Sequence, residues 1–352
     1  MSPIGIRSCW KNNLKERRGD AETCDAETRG HGDAETKLPC YAILPLPAYL
    51  IRFRSWIQMI TSKSNPGIKE IRLLKQAKYR HARGEYFIEG VRLVEEALRQ
   101  TVPVLKIAYS PRLERTERGT EVLSMARKKI PEAEWLYLSD EVMATLCDTQ
   151  THQGILAVLK KRDRSFEELW PKKGMILLLQ ELQDPGNLGT IFRLADAGGA
   201  AGLILSWGTI DPYSPKVVRA SMGSLWRVPF LKDQDMEEGL GKLRSRGYRV
   251  WATAVRGAPS FWEVDFSRPT AVLFGQEGAG LPEDLLKAAD GLFTIPMAPE
   301  VDSLNVAMAA GLVIYEAWRQ RQGFKGEKVS GFKFDGLVKS RHSGGNRSPE
   351  NF

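Results

Sequence analysis

From residue 175 onward, short apolar runs alternate with helical patterns, and this alternation most narrows the folds open to the chain. Met175–Leu179 reads MILLL, five apolar residues with no polar alternation. Such a run fits a strand buried on both faces, as in parallel sheets covered by helices. Segments 203–205, 248–252, 271–274 and 292–295 read as further strands. Helical patterns occupy 188–197, 216–222, 236–246, 282–289 and 305–320. Strands alternating with helices predict a parallel α/β domain with both sheet faces covered.

Residues 59–162 carry the same two signals on a smaller scale. The helix expected over 68–79 spaces Ile68, Ile71, Leu74 and Ala77 on one face. Strands are expected at 86–88, 104–109, 134–138 and 155–159, and helices at 91–100, 121–129 and 140–146. Together they make a small α/β domain. Residues 163–173 are polar and read as a linker, which places the main domain at 174–321. Two domains suit 352 residues at roughly 150 residues per domain. The last stretch, 322–352, is rich in Gly, Ser and Lys and reads as a disordered basic tail.

Residues 1–58 differ from the rest. The tetrapeptide Asp-Ala-Glu-Thr occurs at 20–23, 25–28 and 33–36 without any apolar period, so it cannot bury a core. Met59 opens a normal segment. Translation is therefore expected to start at Met59, with 1–58 a misannotated extension; a genuine disordered arm is the alternative.

Lys and Arg number 51 against 43 acids, a net charge of +8 that favours phosphate-rich partners. Four cysteines without a CxxC pair, and four unclustered histidines, argue against a disulfide scaffold or a structural zinc site. The longest early apolar run, 40–51, is broken by Pro45 and Pro47 and falls short of the roughly 20 residues a bilayer needs. A reducing cytoplasm without membrane contact is the expectation.

Ligands of open parallel sheets bind beyond the carboxyl ends of the strands. Three loops at such ends stand out. In QELQDPGNLGTIFR (180–193), Asp184-Pro185-Gly186 turns, and Asn187 takes the helix N-cap position with Arg193 in the second turn. A helix N-terminus with a nearby Arg suits phosphate, although for such a turn taken alone a plain capped helix with a surface Arg is the commoner reading. In FGQEGAGLP (274–282), three glycines permit close backbone approach, but their spacing is not that of the dinucleotide fingerprint. In IPMAPEVDSLNVA (295–307), a proline-stiffened loop leads to Asp302 or Ser303 as cap of the last helix.

As an ordered set, DPGNLGTIFRLADAGGA, FGQEGAGLP and IPMAPEVDSLNVAMAAGLVIYE resemble the three signature motifs of the SpoU (TrmH) branch of the SPOUT RNA methyltransferases. SPKVVRASMGSLWRVP (214–229) resembles the stretch between motifs one and two, and KYRHARGEYFIEGVRLVEEAL resembles an L30e-like substrate-binding domain. The resemblance covers about residues 59–321. It implies a trefoil knot in the carboxyl-terminal domain, S-adenosyl-L-methionine as cofactor, RNA as substrate and an active site completed across a homodimer through that domain. It further implies catalytic roles for Asn187, Arg193, Glu277, Ser303 and Asn305. The cofactor pocket it implies is formed by Ala252, Thr253, Ala254, Gly275, Gly280, Ile295, Met297, Ser303 and Leu304. Gln276 and Asp302 depart from the family's usual choices, and neither removes a motif polar residue.

The implied reaction methylates a ribose 2′-hydroxyl. That group is a poor acid, so positioning should provide much of the rate. An ordinary guanidinium stays protonated, so Arg193 reads as a clamp on developing charge rather than as a base. The basic, aromatic-flanked stretch 63–83 suggests RNA contact through Lys75, Lys78, Arg80 and Arg83, with Arg219 and Arg193 added from the main domain; a solvated helix face reads equally. Ribosomal RNA ranks ahead of transfer RNA because of the extra domain. A noncatalytic RNA-binding protein is the alternative, and a nicotinamide enzyme ranks last.

Overall fold

The computed structural model describes residues 58–149, 151–169 and 174–323. The repeat-bearing segment 1–57, the linker residues 170–173 and the tail from 324 lie outside the described residues.

The small domain runs α1 (Pro66–Leu73), α2 (Ala77–Arg83), β1 (Glu85–Glu89), α3 (Val91–Arg99), β2 (Val104–Tyr109), α4 (Pro111–Glu114), α5 (Glu117–Lys129), β3 (Glu134–Tyr137), α6 (Asp140–Leu146) and β4 (Ile155–Lys160). Its sheet order is β1-β4-β2-β3, with β4 antiparallel to both neighbours and β2 parallel to β3. Ile68, Ile71, Val142, Met143 and Leu146 pack against Phe87, Leu156 and Val158 on one face of the sheet. Val94, Leu98 and Val122 cluster with Tyr86, Ile88 and Ile107 on the other. Helices thus cover both faces.

The single helix expected over 68–79 is two helices. The chain turns at Leu74–Gln76, where Arg80 donates from Nη1 to the carbonyls of Leu74 (3.0 Å) and Lys75 (2.9 Å). A buried guanidinium thereby satisfies carbonyls that a continuous helix would have paired internally.

The large domain continues with β5 (Met175–Leu179), α7 (Pro185–Ala197), β6 (Gly202–Ser206), α8 (Pro215–Ser221), α9 (Ser224–Arg227), β7 (Phe230–Gln234), α10 (Met236–Ser245), β8 (Arg249–Thr253), β9 (Thr270–Phe274), α11 (Glu283–Ala288), β10 (Gly291–Phe293) and α12 (Val306–Arg321). Its six strands are ordered β10-β8-β9-β5-β6-β7, and every described pairing is parallel. Side chains alternate across a strand. Accordingly Met175, Leu177 and Leu179 join α7 and α12 in one cluster, while Ile176 and Leu178 join α10 and α11 in the other. The unbroken apolar run of β5 is explained by this double coverage.

Strand β7 had no sequence expectation; only Phe230 and Leu231 are apolar before Lys232 and Asp233, as suits an edge strand. The polar linker is also more than a tether, because Leu169 is fully buried in the α10 side of the core and Arg164 donates to the Trp226 carbonyl at 3.0 Å. The two domains share an apolar cluster that includes Tyr86 and Tyr213, whose rings lie 4.7 Å apart. Trp226 Nε1 donates to the Tyr86 hydroxyl at 2.7 Å, and burial pushes the Tyr86 phenol well above its ordinary range, keeping it protonated. Among the described residues no helix is long and apolar enough to cross a membrane.

Helix α7 approaches α8 closely at Gly189, where a Cβ would stand 2.3 Å from Ala220 Cβ and 3.0 Å from backbone atoms. Gly189→Ala is therefore expected to destabilise the protein by about 1–3 kcal/mol, the cost of overpacking a tight contact. A urea midpoint equal to wild type would show that the helices can separate without penalty.

Candidate active site at the carboxyl ends of β5, β9 and β10

The turn after β5 is capped by Asp184, not by Asn187 as expected. The Asp184 carboxylate accepts the Asn187 N–H at 2.7 Å, and Pro185 takes the first helical position, where its missing N–H costs nothing. This moves Asn187 into the first turn and frees its side chain. Arg193 then lies nine residues beyond the cap rather than six, roughly 14 Å along the helix.

After β9 the glycine loop folds on itself. Gln276 and Gly280 exchange two backbone hydrogen bonds of 3.1 and 3.0 Å, and a Cβ on Gly275 would sit 2.2 Å from the Gly280 carbonyl carbon. Gly275 is thus required by the loop's own closure. Gly280 has φ +71°, in the left-handed region that favours glycine.

After β10 the chain reaches α12, whose cap is Asn305, not Asp302 or Ser303. Its Oδ1 accepts from the Ala307 (2.9 Å) and Met308 (3.3 Å) N–H groups. With that oxygen committed, Asn305 Nδ2 must face outward as a donor. It donates to Asn187 Oδ1 at 2.9 Å, and Asn187 Nδ2 donates to Glu277 Oε1 at 2.8 Å. One chain of amides and a carboxylate therefore ties together loops separated by as many as 118 positions in sequence.

Beside this chain opens a cleft of about 670 Å³ lined by the Thr253–Arg256, Phe274–Leu281 and Thr294–Ala309 regions. Of the expected pocket residues, Thr253, Ala254, Gly275, Gly280, Ile295, Met297, Ser303 and Leu304 line it. Ala252 does not, being fully buried in the sheet core. Glu277 also borders the cleft. Arg256 and Leu286 line it without having carried any sequence signal; Arg256 faces Asp302 across 3.6 Å at an exposed rim. The size falls within the range of small-molecule sites, and apolar walls of Ile295, Met297 and Leu304 beside the polar Thr253 and Ser303 suit a nucleoside bearing a short charged arm.

Arg193 is exposed, has no hydrogen bond or ion pair to a described residue, and does not border this cleft. Its neighbour Leu194 instead lines an apolar groove of about 470 Å³ with Trp262, Met308, Gly311, Leu312 and Tyr315. Trp262, Met308, Leu312 and Tyr315 are 61%, 59%, 42% and 48% exposed.

The expected RNA contacts divide. Lys78 is exposed, with Nζ 4.8 Å from the Tyr79 ring centroid, and Arg83 is partly exposed 3.4 Å from Glu70. Lys75 is half-buried, 3.0 Å from Asp148. Arg80 departs from the expectation: it is 3% exposed and holds Asp211 from Nε (2.8 Å) and Nη2 (2.7 Å). Arg219 departs as well, bridging Glu89 (3.1 Å) and Asp148 (3.4 Å). Burial works against ionising Asp148, yet Lys75 and Arg219 outweigh it and hold the carboxyl below its ordinary range. Both arginines thus lie in the domain junction, where carboxylates occupy their donors.

Comparison with known proteins agrees with this geometry. The SpoU rRNA Methylase family model matches residues 174–315, and the MRM3-like substrate binding domain model matches 65–157. An uncharacterized tRNA/rRNA methyltransferase of Synechocystis sp. is 38% identical over 270 residues, covering 75% of this chain and 95% of its own. The 23S rRNA (guanosine(2553)-2′-O)-methyltransferase RlmP of Bacillus subtilis is 31% identical over 264 residues, covering 74% and 98%. A crystal structure of an AdoMet-bound rRNA methyltransferase from Sinorhizobium meliloti superposes with a TM-score of 0.67 at 33% identity, over 75% of this chain and 98% of that one. With both domains matched and the three motif loops joined by hydrogen bonds, the chain belongs to the SpoU rRNA methylase family.

Proposed function

We propose that in the cytoplasm this chain transfers a methyl group from S-adenosyl-L-methionine to a ribose 2′-hydroxyl of RNA, and that the RNA is ribosomal. The observation that carries the reading is the Asn305–Asn187–Glu277 hydrogen-bond chain standing beside a cleft of cofactor size. Support for ribosomal RNA comes from similarity that extends over both domains to RlmP and to the Sinorhizobium enzyme.

When bound, S-adenosyl-L-methionine supplies an electrophilic methyl group on a sulfonium. The residues that would hold it are Thr253, Ala254, Gly275, Ile295, Met297 and Leu304 along the cleft. Asn187 and Asn305 act by fixing the loops to one another, so that Glu277 and Ser303 stand at set positions on the cleft edge. A pre-positioned site lowers the barrier by aligning the hydroxyl with the methyl group before reaction. Arg193 serves as the positive clamp for substrate phosphate and for the charge that develops on the ribose oxygen.

The site is completed by a second copy of the chain. Arg193 stands away from its own cleft but beside the apolar groove of Leu194, Met308 and Leu312. A contiguous exposed apolar patch on an otherwise polar surface marks an interface. We infer that a partner covering this groove brings Arg193 to the partner's cleft. The trefoil threading of the carboxyl-terminal segment is part of the same reading; support comes from the sheet order, in which β10 lies beyond β8 and not beside β9.

The test is a map of 2′-O-methyl sites on ribosomal and transfer RNA from a strain lacking the gene. One ribosomal position is expected to lose its methyl group and to regain it from purified protein and cofactor. A transfer-RNA position lost instead would correct the substrate. Calorimetry that finds no cofactor binding at millimolar concentration would favour the noncatalytic alternative.

A further inference from the structure

Two tryptophans of the large domain are strongly exposed, Trp262 at 61% and Trp207 at 65%. Trp262 belongs to the apolar groove already described. Trp207 does not border that groove. It stands on the turn after β6, among Glu181, Gln183 and Lys232-Asp233-Gln234, and its indole has no hydrogen-bond partner among the described residues.

The turn is held firmly. Ser206, 3% exposed, accepts the Glu181 N–H at 2.8 Å and donates to the Trp207 carbonyl at 2.8 Å. The Trp207 N–H reaches the Gln234 carbonyl at 3.3 Å, and Ile210 N–H reaches Leu182 O at 2.8 Å. Gln183 Nε2 donates to Gly208 O at 2.7 Å. Gly208 has φ +79°, and a Cβ there would press on the Glu181 side chain at 3.3 Å. The turn is therefore bolted to the same 181–184 loop that presents Asn187. Leaving an indole in water forgoes the free energy that its burial would contribute. A turn whose backbone is held in this way presents the indole at a fixed point, so that stacking has only the side chain left to order.

Its place in the fold says what stacks there. Four residues on from Trp207 is Asp211, which joins the large domain to Arg80 of α2 at 2.7 Å. The exposed Lys78 and the partly exposed, Glu70-paired Arg83 lie on that same helix, with His81 Nε2 3.9 Å from Asp211. On the other side, the 181–184 loop leads into the Asn187–Glu277–Asn305 chain. Trp207 thus stands at the carboxyl end of β6, beside β5, whose loop leads to the cleft, and four residues from the Asp211–Arg80 contact with the small domain.

We propose that Trp207 is a base-stacking platform that receives a nucleobase of the RNA strand next to the methylated nucleotide. It has this role only with an RNA substrate, as proposed above. Every base offers a π-face, so the contact adds affinity and register without choosing a sequence. No backbone phosphate is held by it.

The test compares wild type, Trp207→Ala and Trp207→Phe for binding a fluorescein-labelled, mixed-sequence single-stranded RNA 20-mer across a salt series, alongside cofactor affinity. Trp207→Ala is expected to bind about 5- to 150-fold more weakly, the range one lost stacked base implies. The slope of log affinity against log salt should be unchanged, because no counterion-releasing contact is removed. Trp207→Phe should recover most of the loss, and S-adenosyl-L-methionine affinity should not move in either variant. Equal RNA affinity for Trp207→Ala and wild type would overturn the assignment. So would a loss that phenylalanine fails to recover. A protein whose binding depends on Trp207 as described but which methylates no RNA would overturn the methyltransferase reading and leave the platform standing.

Discussion

Arg193→Ala is expected to reduce methyl transfer by at least about 10²–10³-fold while leaving the protein as stable as wild type. The two halves of this expectation rest on one fact. Arg193 is exposed on α7 and has no partner among the described residues, so its removal breaks no internal contact. Exposed substitutions away from special features usually change stability by less than about 0.5 kcal/mol. Cofactor affinity should also hold, since Arg193 does not border the cleft. Arg193→Lys should fall between wild type and alanine, because an ammonium keeps the charge and loses the planar fork. The shared-site reading adds a sharper result. Mixing Arg193→Ala with Ser303→Ala protein should restore about a quarter of wild-type activity, since half the dimers are mixed and each of those contains one intact site. An Arg193→Ala protein that methylates at the wild-type rate would remove the residue from the mechanism; two inactive variants that never complement would place both residues in the same subunit's site.

What could be read in advance, and what could not, follows from how far each signal reaches along the chain. The strands of the large sheet were legible because burial on both faces writes itself locally, as in MILLL of β5. Strand β7 was not, because an edge strand needs only Phe230 and Leu231 to anchor it. The caps were displaced for a different reason. Asp184 and Asn187 are both good capping residues, and the proline that follows Asp184 was the local signal that separated them. Asn305 caps α12 and at the same time reaches Asn187, a partner 118 residues away that no window along the chain contains. Hence each motif loop taken alone read as an ordinary turn, and only the ordered set pointed to a site. The basic run 63–83 misled for the same reason. Its charges are visible locally, but the carboxylate that holds Arg80 is Asp211, 131 positions further on. Arg219 meets Glu89 over a gap of 130. Charge patterning cannot separate a phosphate-facing arginine from one enclosed in a domain junction.

The enclosure of Arg80 leads to a large expected effect on stability. Its side chain is 4% exposed and that of Asp211 is 10% exposed. Beyond the ion pair it satisfies the Leu74 and Lys75 carbonyls, and Asp211 in turn accepts the Tyr213 N–H at 2.9 Å. Arg80→Ala leaves a buried carboxylate and two turn carbonyls without their donor. Breaking one side of a buried pair costs about 3–5 kcal/mol, on the order of 10 °C in Tm for a protein of this size. Replacing both partners should cost much less, because a desolvated charge is then no longer left behind; Arg80→Met with Asp211→Leu should recover a large part of the loss. Binding experiments separate this junction role from the RNA contact that the basic run suggested. A lost phosphate contact would lower the salt slope of RNA binding by about one, whereas loss of a junction contact leaves it in place at temperatures where the variant is folded. Melting of Arg80→Ala within about 2 °C of wild type, together with a reduced salt slope, would return Arg80 to the RNA surface and leave Asp211 to be stabilised by something other than its guanidinium.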